Sequence, residues 1–86
     1  MSMQHDYTCD PDSSFTDRVK RLSPREHQVI RMAMDGLTNK AIGTKLQLSF
    51  RTVEVHRRHA CAKLGAENSS HMARIYIEGI TGVALP

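Results

Sequence analysis

The sequence predicts an all-α domain of four helices, and three observations lead there. Apolar residues recur at helical spacing in successive windows. No stretch alternates apolar and polar as a half-buried strand does. Capping residues, glycines and one tight turn punctuate the windows. The chain has 86 residues, room for one small domain and too few for a kinase, a Rossmann enzyme or a barrel. Hydrophobic residues make up 40% of it, aromatics only 5%, and Trp is absent. The core must therefore be built from Leu, Ile, Val, Ala and Met. No run of 18 apolar residues occurs, so no membrane span is expected. The first twelve residues are polar and acidic, unlike a secretory signal. Two cysteines, Cys9 and Cys61, make no disulfide framework, and a reduced, cytoplasmic setting is expected.

Residues 1–13 read as a flexible acidic leader. Residues 14–22 read as a linker or a short helix, since Phe15, Val19 and Leu22 fall at i, i+4 and i+7. Ser23-Pro24-Arg25-Glu26 then opens the first firm helix. Ser23 can cap the first turn, Pro24 occupies the position where a missing N–H costs nothing, and Glu26 completes a capping box. Val29, Ile30, Ala33 and Met34 share one face of this helix, and Gly36 closes it, with Leu37 as apolar partner. Thr38 caps a second helix of about 39–46, with its inward residues among Ala41, Ile42, Lys45 and Leu46. Gly43 lies inside it and should weaken it by about 1 kcal/mol relative to Ala. Gln47-Leu48-Ser49 forms a tight turn. Ser49 caps a third helix of about 50–64, about 22 Å long, which Gly65 ends. The fourth starts near Ser69 or Ser70, runs to about Gly79, and carries Met72, Ile75, Tyr76, Gly79 and Ile80 as its core stripe. Residues 23–80 are thus the expected domain, and 81–86 a C-terminal tail.

Charge is unevenly spread. Residues 1–17 carry −4, from Asp6, Asp10, Asp12 and Asp17, whereas residues 18–86 carry +7. Residues 40–63 alone hold Lys40, Lys45, Arg51, Arg57, Arg58 and Lys63 against the single acid Glu54. This imbalance points to a polyanion as partner, with a solvated charged surface as the alternative.

The third helix has two faces. Val53, Ala60 and Leu64 fall at i, i+7 and i+11 and can pack inward, while Arg51, Glu54, Val55 and Arg58 project outward. A short helix bracing a longer one with a basic, hydrogen-bonding outer face is the layout of a helix-turn-helix. In that motif the second helix enters the major groove and the first crosses the backbone. An ordinary helical hairpin with a solvated face is the alternative.

Residues 22–79 resemble the LuxR/GerE-type DNA-binding domain, most closely the output domains of FixJ-like (NarL/FixJ family) response regulators. The matching segments are LSPREHQVI (22–30), GLTNKAIGTKL (36–46) and SFRTVEVHRRHACAKLGA (49–66). The resemblance implies a tetrahelical fold, double-stranded DNA as partner, and homodimers held on DNA by the fourth helix. Ala41 and Gly43 depart from the family pattern, which puts the strength of the second helix in question. A phosphoacceptor receiver would need roughly a hundred further residues. The chain therefore reads as an excised output domain or, on Met1 and the acidic leader, as a stand-alone regulator.

On this layout Glu54, Val55 and Arg58 are the base-reading candidates. Arg can bridge guanine O6 and N7, Glu can accept from cytosine N4, and Val can touch a thymine methyl. Thr38, Asn39, Lys40, Lys45, Ser49, Arg51, Thr52 and Arg57 are the candidate backbone contacts, with simple capping the alternative for Thr38 and Ser49. His56 is expected to support the helix. On the fourth helix Met72, Ile75, Tyr76 and Ile80 face its own core, which leaves Ala73 and Ile77 as the candidate dimer stripe.

His56, His59 and Cys61 do not make a zinc site: their spacing turns Cys61 away, and no second ligand pair exists. The capping box accounts for Glu26. No nucleophile–base pair or phosphate loop appears, so no enzyme, metal, cofactor or small-molecule ligand is expected. Two other readings stay open, a helical protein-interaction module and a sigma-region-like domain docking on RNA polymerase.

Overall fold

The computed structural model describes residues 12–82. Five helices and no strand make up these residues: α1 (Phe15–Lys20), α2 (Pro24–Met34), α3 (Asn39–Leu46), α4 (Phe50–Leu64) and α5 (Ser69–Thr81). The chain is all-α, as its patterning predicts. Helices α2 to α5 correspond to the four expected, and α1 occupies the segment read as a linker or short helix. The leader up to residue 11, Cys9 included, and residues 83–86 of the expected tail lie outside the described residues. Thr81, counted with that tail, is the last residue of α5.

Every helix starts on a side chain that accepts from the amide three residues on, which satisfies one of the donors a helix start leaves free. Ser14, Ser23, Thr38 and Ser49 accept from Asp17, Glu26, Ala41 and Thr52, each at 3.1 Å. Glu26 Oε1 accepts in return from the Ser23 amide at 2.9 Å and completes the capping box. For α5 the cap is Asn68, accepting from His71 at 2.9 Å, not Ser69 or Ser70. Helices α2, α3 and α4 end alike. Gly36 (φ 93°), Gln47 (φ 60°) and Gly65 (φ 69°) take the left-handed conformation. The following amide then reaches back five residues: Leu37 to Met32 (3.2 Å), Leu48 to Gly43 (2.8 Å) and Ala66 to Cys61 (2.9 Å). Gln47 does this with a side chain attached, where glycine is the unstrained choice.

The core has two parts. Val19, Leu22, Ile30, Ala60, Leu64, Met72, Ile75 and Tyr76 form the larger one, joining α1, α2, α4 and α5. Val29, Ile42 and Val53 form the smaller one between α2, α3 and α4, with Leu37, Leu46 and Leu48 packed on it. Helix α4 contributes to both. Two residues assigned to inward faces by periodicity are corrected here. Met34 is 38% exposed and Ile80 55% exposed. Met34 on the last turn of α2 and Ile80 on that of α5 face an open groove of about 310 Å³ between the two helices. Met34, Ile77 and Ile80 line it with Arg31, Asp35 and Tyr76.

Two glycines set helix separations. Gly43 is buried, and a Cβ there would stand 2.5 Å from the Leu48 carbonyl oxygen. The expectation that Gly43 merely weakens the second helix is overturned, because only the missing side chain lets the turn fold back onto α3. At Gly79 a Cβ would meet Val19 Cγ2 at 2.5 Å and the Phe15 carbonyl oxygen at 2.6 Å. Helix α1 rests on that gap. Thr16 Oγ1 donates to the Gly79 carbonyl at 3.0 Å, and Arg18 Nη1 donates to the Leu64 carbonyl at 3.1 Å.

Gly43→Ala and Gly79→Ala should each lower stability by about 1–3 kcal/mol, the usual cost of forcing volume into a filled space. An unobstructed helical glycine replaced by alanine would instead gain up to about 1 kcal/mol. Urea unfolding of the full chain distinguishes the two, and a raised midpoint in either variant would contradict the packing argument.

Candidate nucleic-acid interface

The α3–turn–α4 unit is built from local rules. Thr38 starts α3, Gln47 and the Leu48–Gly43 bond end it, and Ser49 starts α4 two residues later. Val53, Ala60 and Leu64 are fully buried, which fixes the inward face of α4. At 3.6 residues per turn the opposite stripe is then Arg51, Glu54, Val55 and Arg58. Arg51, Glu54 and Arg58 are exposed and Val55 is half-buried. Among the described residues, Glu54 and Arg58 make no ion pair with each other although they stand one turn apart. Lys40 and Lys45 of α3 are exposed as well. The structure thus presents both lysines and the α4 stripe to solvent.

The remaining candidates already have partners inside the chain. Thr38 and Ser49 cap, and Ser49 Oγ also shares a hydrogen bond with Thr52 Oγ1 at 3.0 Å. Arg57 Nη1 donates to Asn39 Oδ1 at 2.7 Å, and Nη2 donates to Ser69 Oγ at 2.9 Å. Ala73 and Ile77 are half-buried on α5, and Ile77 borders the groove that Ile80 and Met34 also line. Ile80 therefore lies outside the core, next to the stripe assigned to dimer contact.

Lys63 needs a correction. Counted in the basic window, it turns inward instead, and its Nζ lies 2.9 Å from Glu26 Oε1. The same carboxylate oxygen serves the α2 capping box, so the box alone does not account for Glu26. One signal was present in the sequence: Lys63 follows Ala60 by three residues and so sits on the inward arc. The outward charge is correspondingly smaller than the count implies.

Burial pushes the Glu26 carboxyl up. The Lys63 hydrogen bond, the Ser23 amide, and the charges of Lys63 and His59 outweigh it, leaving the carboxyl below its ordinary value. Burial pushes the Cys61 thiol and the Tyr76 hydroxyl up. Cys61 Sγ lies 3.4 Å from Met72 Sδ, and His27 Nδ1 lies 3.0 Å from Tyr76 Oη. Among the described residues no group of three His, Cys, Asp or Glu side chains gathers to hold a metal, and no helix is long and apolar enough to cross a membrane.

A short helix, a tight turn and a longer helix with a buried face and a charged outer stripe define a helix-turn-helix domain. Residues 20–76 match the family of bacterial regulatory proteins of the luxR type (GerE), and the chain belongs to that family. Among its relatives is the transcriptional regulatory protein FixJ of Rhizobium meliloti (strain 1021). That protein is 44% identical over 62 residues, which are 72% of this chain and 30% of FixJ. The C4-dicarboxylate transport transcriptional regulatory protein DctR of Rhodobacter capsulatus is 46% identical over 50 residues, 58% of this chain and 25% of DctR. The oxygen regulatory protein NreC of Staphylococcus aureus (strain JH9) is 39% identical over 57 residues, 66% of this chain and 26% of NreC. The chain thus spans under a third of the length of these relatives. No solved structure matches it.

A depressed folded-state value means that Glu26 stabilises the fold above the unfolded value of 4.5. That contribution is lost as pH falls through the lower folded value. Glu26→Gln should therefore cost about 1–3 kcal/mol at neutral pH, leaving Lys63 without its carboxylate. Thermal midpoints of the two proteins should converge on acidification below 4.5. A gap that stayed constant with pH would show that the ion pair contributes nothing.

Proposed function

We propose that this domain binds double-stranded DNA sequence-specifically and regulates transcription, with α4 in the major groove and α3 across the backbone. The observation that carries this is the division of α4. Val53, Ala60 and Leu64 are fully buried, and the exposed stripe opposite them holds Arg51, Glu54 and Arg58. A stripe of that composition suits base edges and phosphates more than it suits a protein partner, whose interface core is depleted in charge. The names of the relatives, transcriptional regulatory proteins, support the same reading.

In this reading Arg58 donates to guanine, Glu54 accepts from a cytosine amino group, and Val55 lies against a thymine methyl. Lys40, Lys45, Arg51 and Thr52 meet phosphates, aided by the free amides at the starts of α3 and α4. Thr38, Asn39, Ser49 and Arg57 act through the caps and hydrogen bonds that hold those donors in place. Two copies associate on DNA through α5, where Ala73 and Ile77 are joined by Ile80. So small an apolar patch falls short of the roughly 1,000 Å² of a stable free dimer, so DNA supplies the rest by holding the copies side by side.

Glu54→Ala should bind random duplex more tightly, because a carboxylate facing phosphates is removed, while preference at one base pair flattens. Arg58→Ala should lose about 1–3 kcal/mol on the best sequence and flatten a neighbouring pair. Affinities against single-base variants of a sequence selected from random DNA measure both. Unchanged preference profiles in both variants would remove α4 as the reading element.

Ile77→Glu should abolish cooperative binding to a two-fold site and leave half-site affinity intact, as read by electrophoretic mobility shift. A tight dimer in sedimentation without DNA would count against DNA-dependent association.

A further inference from the structure

The geometry points to Arg57 as a positioning residue: its guanidinium clamps the starts of α3 and α5 to the middle of α4 and so sets the register of Glu54, Val55 and Arg58. The inference rests on the DNA-binding reading above and assigns Arg57 away from direct phosphate contact. Asn39 and Ser69 are the first residues of α3 and α5. Arg57 Nη1 reaches one at 2.7 Å and Nη2 reaches the other at 2.9 Å. A single planar group thus ties two helix starts to a third helix.

Three arguments set Arg57 apart from the surface cations. First, exposure differs: Lys40, Lys45, Arg51 and Arg58 are exposed, whereas Arg57 is half-buried. Second, helix starts are electropositive, so a cation between two of them is repelled. The neutral acceptors Asn39 Oδ1 and Ser69 Oγ, and not charge, explain why it sits there. Third, the fork is rigid. Its two terminal nitrogens have a fixed separation, so keeping both bonds narrows the rotations and translations open to α4.

That restriction is what the apolar contacts lack. Val53, Ala60 and Leu64 hold α4 by burial, which is non-directional and tolerates small rotations. A rotation of about 20° carries the outer edge of a helix, about 5 Å from its axis, through about 2 Å. A displacement of that size breaks a hydrogen bond to a base edge. Glu54 and Arg58 lie three residues before and one after Arg57, so its bonds act close to the readers. Phosphate contacts through flexible lysines absorb the same shift.

Arg57→Lys, Arg57→Ala and Asn39→Ala in the full chain test the assignment. Each is measured on a sequence selected from random DNA and on random duplex, across a salt series. All three should lower the specific-to-random affinity ratio by about 10-fold. The salt slope should stay as in the unmodified protein. Arg57→Lys is decisive, because it keeps the charge and loses the fork. The thermal midpoint should also fall less in a variant combining Arg57→Ala with Asn39→Ala than the two single changes predict by addition. If Arg57→Ala fails to fold, Arg57→Lys and Asn39→Ala carry the test alone. A slope reduced by about one with the ratio intact would mark a phosphate contact and overturn the assignment. Arg57→Lys matching the unmodified protein would overturn it too. If the unmodified protein shows no sequence preference at all, the DNA-reading function itself falls, and Arg57 with it.

Discussion

Val53 belongs to the smaller apolar cluster and Ala60 and Leu64 to the larger, yet all three lie on one face of α4 and all are fully buried. That shared burial is the constraint on which the remaining structure depends. Because α4, like α2, lines both clusters, neither half of the domain can shift without moving it. Its polar anchors are distributed to match. Lys63 ties its last turn to α2 through Glu26, Arg57 ties its middle to α3 and α5, and Ser49 fixes its start. A helix held at three levels along its length can leave Arg51, Glu54 and Arg58 on its other face to solvent. The outward stripe is the by-product of how completely the inward one is fixed.

Local features were readable from the chain alone because their causes span only a few residues. Ser23 with Glu26, Thr38 and Ser49 act within one turn, and Gly36 and Gly65 end helices by their own backbone freedom. Features set by distant contacts were not. Gly43 looks like a weak point in a short helix until Leu48 is seen against it, and Gly79 looks incidental until α1 is seen lying across it. Met34 and Ile80 have the right period for a core face, but period says nothing about whether an element stands opposite. Met34 and Ile80 line the open groove between the ends of α2 and α5 instead.

The same division applies to the candidate interface. The stripe Arg51, Glu54, Val55 and Arg58 follows from helical period once the inward residues are chosen. Which cations serve it does not, because a charge count carries no direction. Lys63 and Arg57 sit within eight residues of Glu54 or Arg58, but one turns to a buried carboxylate and the other to two neutral oxygens. Asn39 and Ser69, widely separated in sequence, gave no sign of sharing a partner.

Helix α1 covers the far end of this arrangement. Arg18 reaches the Leu64 carbonyl at the close of α4, and Thr16 reaches the Gly79 carbonyl near the close of α5. Arg51 stands at the other end of α4, about 20 Å away along the helix axis. Anything joined to the chain ahead of Ser13 is therefore attached at the pole opposite the stripe. Its mechanical route to Arg51 runs through α1, as a push or pull on the carboxyl ends of α4 and α5. A tether fixed at the start of α1 itself accordingly meets the domain at the end of α4 away from Arg51.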